Sequence, residues 1–227
     1  MSSSKRIYFE PELFRFFTAL KRNNRREWFH KHKPDYEKFV KMPLLQFIAD
    51  LKEPMRSISP AFKVEARPVG GSMFRIYRDL RFSPDQKPYK THAAAHFTHR
   101  MSSEKVHAPG FYLHLEPGDC FAGGGIWHPN NVTLRRIRSE ILDRSDAWGE
   151  VRACKFEIEG ESLKKPLRGV DPSFEWMDDL RRKDFVAGLP LTQAQVCGRD
   201  FLDRFLHACE TIEPLMKFLT RALGLPW

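Results

Sequence analysis

Between Phe74 and Phe97 the run FRIYRDLRFSPDQKPYKTHAAAHF sets Arg75, Arg78, Arg81, Lys87 and Lys90 among aromatic rings, two prolines and two histidines. Arginine forks grip carboxylate or phosphate bidentately and lysine adds a point charge, so this mixture points to an anion held in a basic, aromatic-lined cleft. A second run, GFYLHLEPGDCFAGGGIWHP from Gly110 to Pro129, supplies His114, Trp127 and three consecutive glycines. The expected ligand contacts are Arg75, Tyr77, Arg78, Arg81, Tyr89, Lys90, Gly124, Gly125 and Trp127. His114 is the expected proton carrier, because an imidazole titrates near neutral pH. Arg78 and Lys90 would hold the anion, while Tyr89, His114 and Trp127 shape the site. None of this specifies a reaction, and whether the protein is an enzyme stays open.

Other chemistries find less support. Gly123-Gly124-Gly125 is followed by no Gly-Lys-Ser/Thr and matches no dinucleotide fingerprint. Glycines inside a strand mark a bulge or a close approach of backbone or ligand. On a strand His92 and His96 share one face and His99 points the other way. With His114 and His128 they invite a three-histidine metal site, but no His-Glu-x-x-His spacing fixes them, so no metal is expected and no cofactor is specified. There is no Gly-x-Ser-x-Gly nucleophile elbow. Arg75 and Arg78 fall on opposite faces of a regular strand, so all five cations converge only if the strand bends. Pairing of the arginines with Asp79 and Asp85 is the architectural alternative.

A formal net charge of +9 over 227 residues favours anionic partners. A small anionic ligand is the first expectation. A nucleic-acid-binding module using Arg135, Arg136, Arg138 and stacking aromatics is the alternative, with no helix-turn-helix, RRM, KH or zinc-finger pattern behind it. Four dispersed cysteines without a Cys-x-x-Cys pair read as reduced thiols. No apolar run approaches the roughly 20 residues of a membrane span, and the N-terminus lacks a signal-peptide core. A cytoplasmic, non-membrane protein is expected. Oligomeric state is not encoded legibly.

The elements that must position these residues follow from periodicity. Residues 1–6 read as a disordered lead. Apolar spacing predicts two or three helices between residues 11 and 56, broken at Asn23-Asn24 and started or kinked at Pro34 and Pro43. FKVEARPV, MFRIYRDLRF, YKTHAAAHFTH, GFYLHLEPG and CFAGGGIW then read as five strands of an antiparallel meander. A helix follows, capped by Asn130 or Asn131, with Leu134, Ile137, Ile141 and Leu142 as its apolar stripe. RACKFEIEG reads as a further strand and Phe174 to Lys183 as a short helix. The tail from Arg199 to Leu223 reads as two helices divided at Pro214. One α+β domain over residues 1–227 results, with a mostly antiparallel central sheet between N-terminal and C-terminal helices.

The runs LFRFFTALKRNNRREWFHKHKPDYEKFV, FRIYRDLRFSPDQKPYKTH and GFYLHLEPGDCFAGGGIWHP, with the closing EPLMKFLTRAL, resemble the bacterial and fungal family called domain of unknown function 2461 over nearly the whole chain. The resemblance implies one fold unit and no reaction, since the family has no established activity. It also implies motif positions at Arg75, Tyr77, Arg78, Asp79, Arg81, Phe82, Pro88, Tyr89, Lys90, Gly123 to Gly125, Trp127 and Pro129. Gln86 departs from the lysine expected in that pattern, and His96 and His99 fall on no motif position.

Overall fold

Proline and asparagine partition the N-terminal third. In the computed structural model, which describes residues 6–81, 86–103 and 107–227, helix α1 runs Pro11–Arg22. Pro11 sits in the first turn, where its missing N–H has no intrahelical partner to lose, and Lys21 and Arg22 complement the dipole at the other end. Asn23 stops the helix, its side-chain amide donating to the Ala19 carbonyl at 3.0 Å. Helices α2 (Arg26–Lys31) and α3 (Lys33–Tyr36) follow, then a π-helical turn over Glu37–Lys41 and helix α4 (Met42–Ile58). Pro34 and Pro43 occupy the first turns of α3 and α4, as their lost donors require. Of the expected disordered lead only Arg6 is described, and its guanidinium pairs with Asp50 at 3.0 Å.

The sheet is an antiparallel meander of β1 (Ala93–Thr98), β2 (Gly110–Glu116), β3 (Asp119–Ile126) and β4 (Phe185–Leu191), in that spatial order. His114 lies opposite Ala94 on one side and Phe121 on the other, and Phe121 lies opposite Pro190. Between β3 and β4 come α5 (Asn131–Asp143), α6 (Ser145–Arg152) and α7 (Met177–Leu180). After β4 come α8 (Gln193–Val196), α9 (Phe201–Thr211) and α10 (Glu213–Ala222). Asn130 caps α5 by accepting from the Thr133 N–H at 2.8 Å, and Pro214 opens α10, so both expectations hold. One sheet face packs on α9 and α10; Phe97 of β1 meets Phe205 of α9 edge-on at 5.6 Å, and Phe47 of α4 meets the same ring at 5.4 Å. The buried side chains from Tyr8 to Leu223 form one contiguous apolar cluster. No helix among the described residues is long and apolar enough to cross a membrane, and all four cysteines are unbridged.

Several elements differ from the sequence expectation, beginning with four helices and a π-helical turn where two or three helices are expected, and with α6 and α8, which are not expected. FKVEARPV and MFRIYRDLRF do not form separate strands. Phe62 and Met73 both bridge to the outer edge of β1, at His99 and Ala95, making one edge strand broken by a loop at 64–71. Ser72 staples that loop, accepting from the Glu65 N–H at 3.0 Å and donating to the Lys63 carbonyl at 3.3 Å. RACKFEIEG is not a strand either. α6 ends inside it, and only Glu159 bridges to β4 before Gly160, at φ +119°, turns the chain away. β4 itself goes unanticipated because Gly188 and Pro190 break its strand signature; as an edge strand it tolerates the proline. Leu142 is exposed, off the apolar stripe of α5.

The C-terminal half is tied by a buried carboxylate. Asp179 accepts from Trp148 Nε1 at 2.8 Å and from Arg182 Nε at 2.7 Å, with Arg152 Nε at 3.3 Å. Asp179→Asn removes the countercharge of two half-buried guanidiniums. Denaturant unfolding should show a loss of about 2–4 kcal/mol, below the fully buried case because both arginines retain some solvent. A second expectation concerns high pH. Burial, then the hydrogen bond to Asp50 at 3.0 Å, pushes the Tyr8 phenol up to about 12. Its folded value exceeds the unfolded one, so its contribution is intact below pH 10 and is lost as pH rises towards 12. Over that window stability should fall more steeply in the wild type than in Tyr8→Phe.

Candidate functional site

Strand alternation sorts the motif residues into two layers. Ala93, Ala95 and Phe97 of β1 and Phe111, Leu113 and Leu115 of β2 are buried on the helix-covered face. The intervening residues point the other way. There His96, Tyr112, His114, Glu116 and Phe121 line an open face, joined by His92 just before β1. The His92 and His114 rings lie 4.3 Å apart, and His114 stacks on Phe121 at 5.0 Å with an 11° interplanar angle. The Tyr112 hydroxyl lies 3.2 Å from His114 Nδ1, which leaves Nε2 facing Glu116 Oε2 at 3.5 Å. His92 Nδ1 faces the same oxygen at 3.9 Å. The other carboxylate oxygen accepts from Thr91 Oγ1 at 2.9 Å, with Lys21 Nζ at 3.9 Å.

The cation-rich rim comes from the hairpin that follows the edge strand. Arg78 donates its N–H to Pro88 and Lys90 to Ile76, at 2.9 and 2.8 Å. Asn24 secures the returning arm at both polar groups of Tyr89, donating to its carbonyl at 2.9 Å and accepting from its N–H at 3.1 Å. This places Lys90 Nζ 4.6 Å above the Phe74 ring, a cation–π contact, and Phe74 in turn stacks on His96 at 6.2 Å. Burial, with Arg75 nearby, lowers the Lys90 ammonium pKa. Burial also lowers His96. For His92 burial comes first, then the neighbouring His114; Lys90 and Arg78 act more weakly in the same direction and Glu116 against it, bringing it to about 4. Tyr112 is pushed up to about 12 by burial.

The structure brings Lys90, Arg75, His114 and the charge of Arg78 to one region and separates the rest. Tyr89 does not shape a cleft; its ring is 3% exposed and stacks on Phe29 at 4.1 Å in the core. Tyr77 is exposed beside it. Arg81 forms a two-pronged pair with Asp79, at 3.0 and 2.6 Å, which holds that carboxyl well below its ordinary range. Trp127 is 61% exposed at the far end of β3, six residues or roughly 20 Å from Phe121, so it does not meet His114. His99 lies on the core side, its Nε2 2.8 Å from the Pro226 carbonyl. Phe82 and Asp85 lie outside the described residues. Two shallow grooves, about 450 Å³ along α1 and about 290 Å³ between α6 and α10, contain no imidazole.

Glu116 was not among the sequence-nominated site residues, and His92 was weighed there only as one of the histidines of a metal site. The signal was present in β2 as His114-Leu115-Glu116, two chemistry-bearing residues one period apart on a strand. Thr91-His92, preceding the antiparallel partner, was its complement. The glycine triplet has a different role. A Cβ at Gly124 would lie 3.0 Å from both Ile212 Cδ1 and Met216 Sδ on the helix side. At Gly125, where φ is +134°, it would collide with the Phe185 carbonyl of β4.

A model of the family described as conserved hypothetical protein (DUF2461) matches residues 12–218. No curated protein matches the chain.

The glycine geometry is directly checkable. Gly125→Ala should destabilise by about 1–3 kcal/mol or more, from strain plus collision with β4. Gly188→Ala, whose Cβ would meet only Phe121 at the ordinary distance of 3.4 Å, should change little in the same denaturant unfolding assay.

Proposed function

The chain belongs to the conserved hypothetical protein family DUF2461, and from the geometry of its open sheet face we propose that it binds a small anionic ligand, bearing phosphate or carboxylate, at Lys90. The observation that carries this reading is the setting of the ammonium. Lys90 is half-buried above Phe74 with Arg75 as its charged neighbour, and it faces no carboxylate among the described residues. Holding like charges together away from water costs free energy, and a bound anion offsets that cost through charge-assisted hydrogen bonds. Arg78 adds to the positive field over the same face. Phe74, His96 and Tyr112 supply a floor of rings against which the body of a small ligand packs.

The competing nucleic-acid reading relies on a continuous basic surface. Much of the positive charge is instead locally compensated, as in Arg15 with Glu12, Arg181 with Asp178, Arg204 with Asp200 and Lys217 with Glu213. Arg138 is half-buried and donates to the Arg182 carbonyl at 3.0 Å. Such pairs weaken a phosphate-tracking stripe, which needs unpaired cations in register with a backbone.

Calorimetric titration against inorganic phosphate, sugar phosphates and small di- and tricarboxylates tests the proposal. At least one should bind the wild type. Lys90→Met should weaken it by about 10–100-fold, the worth of one charged hydrogen bond, while the melting temperature of the free protein changes little. Equal affinity in both proteins, or no binding across the panel, would overturn it. Tight binding of a single-stranded oligonucleotide with steep salt dependence, unchanged in Lys90→Met, would favour the dispersed surface instead.

A further inference from the structure

We propose that His92, His114 and Glu116 form a binding site for a divalent first-row metal ion, with two imidazole nitrogens and one carboxylate oxygen as ligands and the remaining coordination positions facing the open side of the sheet. One donor atom from each residue lies within 4.8 Å of the other two. This site goes beyond the anion reading and stands without it.

The distances separate this arrangement from an ordinary hydrogen-bonded cluster. A charge-assisted N–H···O bond closes to roughly 2.7–2.9 Å. Glu116 Oε2 instead stands 3.5 Å from His114 Nε2 and 3.9 Å from His92 Nδ1. Metal bonds of about 2.0–2.2 Å to nitrogen and oxygen place neighbouring donors about 3.4 Å apart at the tetrahedral angle. The two edges to Glu116 therefore stand near the spacing of ligand edges, the imidazole nitrogens lie within 4.8 Å of each other, and a closing of His92 towards the other two completes the set.

The surroundings are those that metal ligands need. An imidazole that binds through one nitrogen is fixed by a hydrogen bond at the other, and a ligating carboxylate is held through its second oxygen. His114 Nδ1 has the Tyr112 hydroxyl at 3.2 Å, which turns Nε2 towards the centre. Glu116 Oε1 accepts from Thr91 at 2.9 Å and has Lys21 at 3.9 Å, which turns Oε2 inward. Phe121 stacked against His114 fixes the plane of that ring. All three ligands keep partial solvent access, with side-chain exposures of 24%, 11% and 21%, so water or an oxygen of an anionic ligand can complete the coordination. Two histidines and a carboxylate with open positions suit Zn²⁺ or Fe²⁺ better than Ca²⁺ or Mg²⁺, which prefer all-oxygen shells.

The test uses the full chain, free of a histidine tag and stripped with chelator. Zn²⁺ is titrated calorimetrically and Co²⁺ by its visible absorption, with Fe²⁺ under anaerobic conditions as a third arm. One ion per chain is expected. Glu116→Gln, an isosteric change, and His114→Ala should each weaken binding by more than the roughly 10–100-fold typical of an outer-shell loss, and Thr91→Val should fall in that range. His207→Ala, on the exposed side of α9, should bind as the wild type does. Lys90→Met should also bind metal normally, which separates failure of this site from failure of the anion site. The proposal is overturned if no ion binds, if several bind weakly, or if Glu116→Gln retains wild-type affinity. Loss of affinity in His207→Ala would equally assign the binding to surface histidines.

Discussion

Period-two alternation along β2 is the constraint on which the rest depends, because it assigns consecutive residues to opposite environments. Phe111, Leu113 and Leu115 enter the helix-packed core, while Tyr112, His114 and Glu116 face outward. A one-residue slip of register would expose three large apolar side chains and bury an imidazole and a carboxylate together. The core therefore polices the register from one side. The chemistry on the other side inherits a geometry it does not have to maintain by itself. Pairing of Ala93 with Leu115, continued by one residue, brings His92 level with Glu116, so the cluster follows directly from the ladder.

The cation rim depends on a second, longer chain of cause. The edge strand beside β1 is broken by the loop at 64–71, and the chain leaves the sheet after Phe74 to form the hairpin that returns at Lys90. A free-standing hairpin of this kind is marginal in water. Here the α1–α2 connection steadies it, Asn24 satisfying both backbone groups of Tyr89 while Phe29 stacks on the tyrosine ring. Tyr89 thus serves the rim by being buried. Its ring anchors the arm that lifts the next residue, Lys90, over Phe74.

These dependencies explain which parts were legible in the sequence. The α+β class, the helical ends, the β1–β3 meander and the Pro214 division follow from local periodicity and from proline and asparagine chemistry, and they are found where expected. Tyr89 and Trp127 illustrate the limit. Their aromatic character is visible, but whether a ring is buried in the core or stands free is decided by elements tens of residues away, Phe29 for one and the strand length of β3 for the other. β4 escaped because Gly188 and Pro190 are poor strand formers and the proline is tolerated at a sheet edge, and edge position is a tertiary fact. The glycine triplet carried a true signal of close approach. The approaching groups are β4, Ile212 and Met216.

Glu116 links the two halves of the site. Its carboxylate faces two imidazoles through one oxygen, and Thr91 and Lys21 through the other, so strand β2, the residues leading into β1 and helix α1 all meet at a single side chain. Among the described residues the carboxylate has one close hydrogen-bond donor, Thr91, and three nitrogens standing 3.5–3.9 Å away, and it keeps partial access to solvent. Closer packing of the protein groups alone would draw an imidazole onto the oxygen. Tyr112 and Phe121 oppose that movement by fixing His114 from the opposite side. The same spacing leaves room for a cation between the three donors. The positive field of Lys90 and Arg78 beyond it then gives an anionic ligand a reason to approach from the open side.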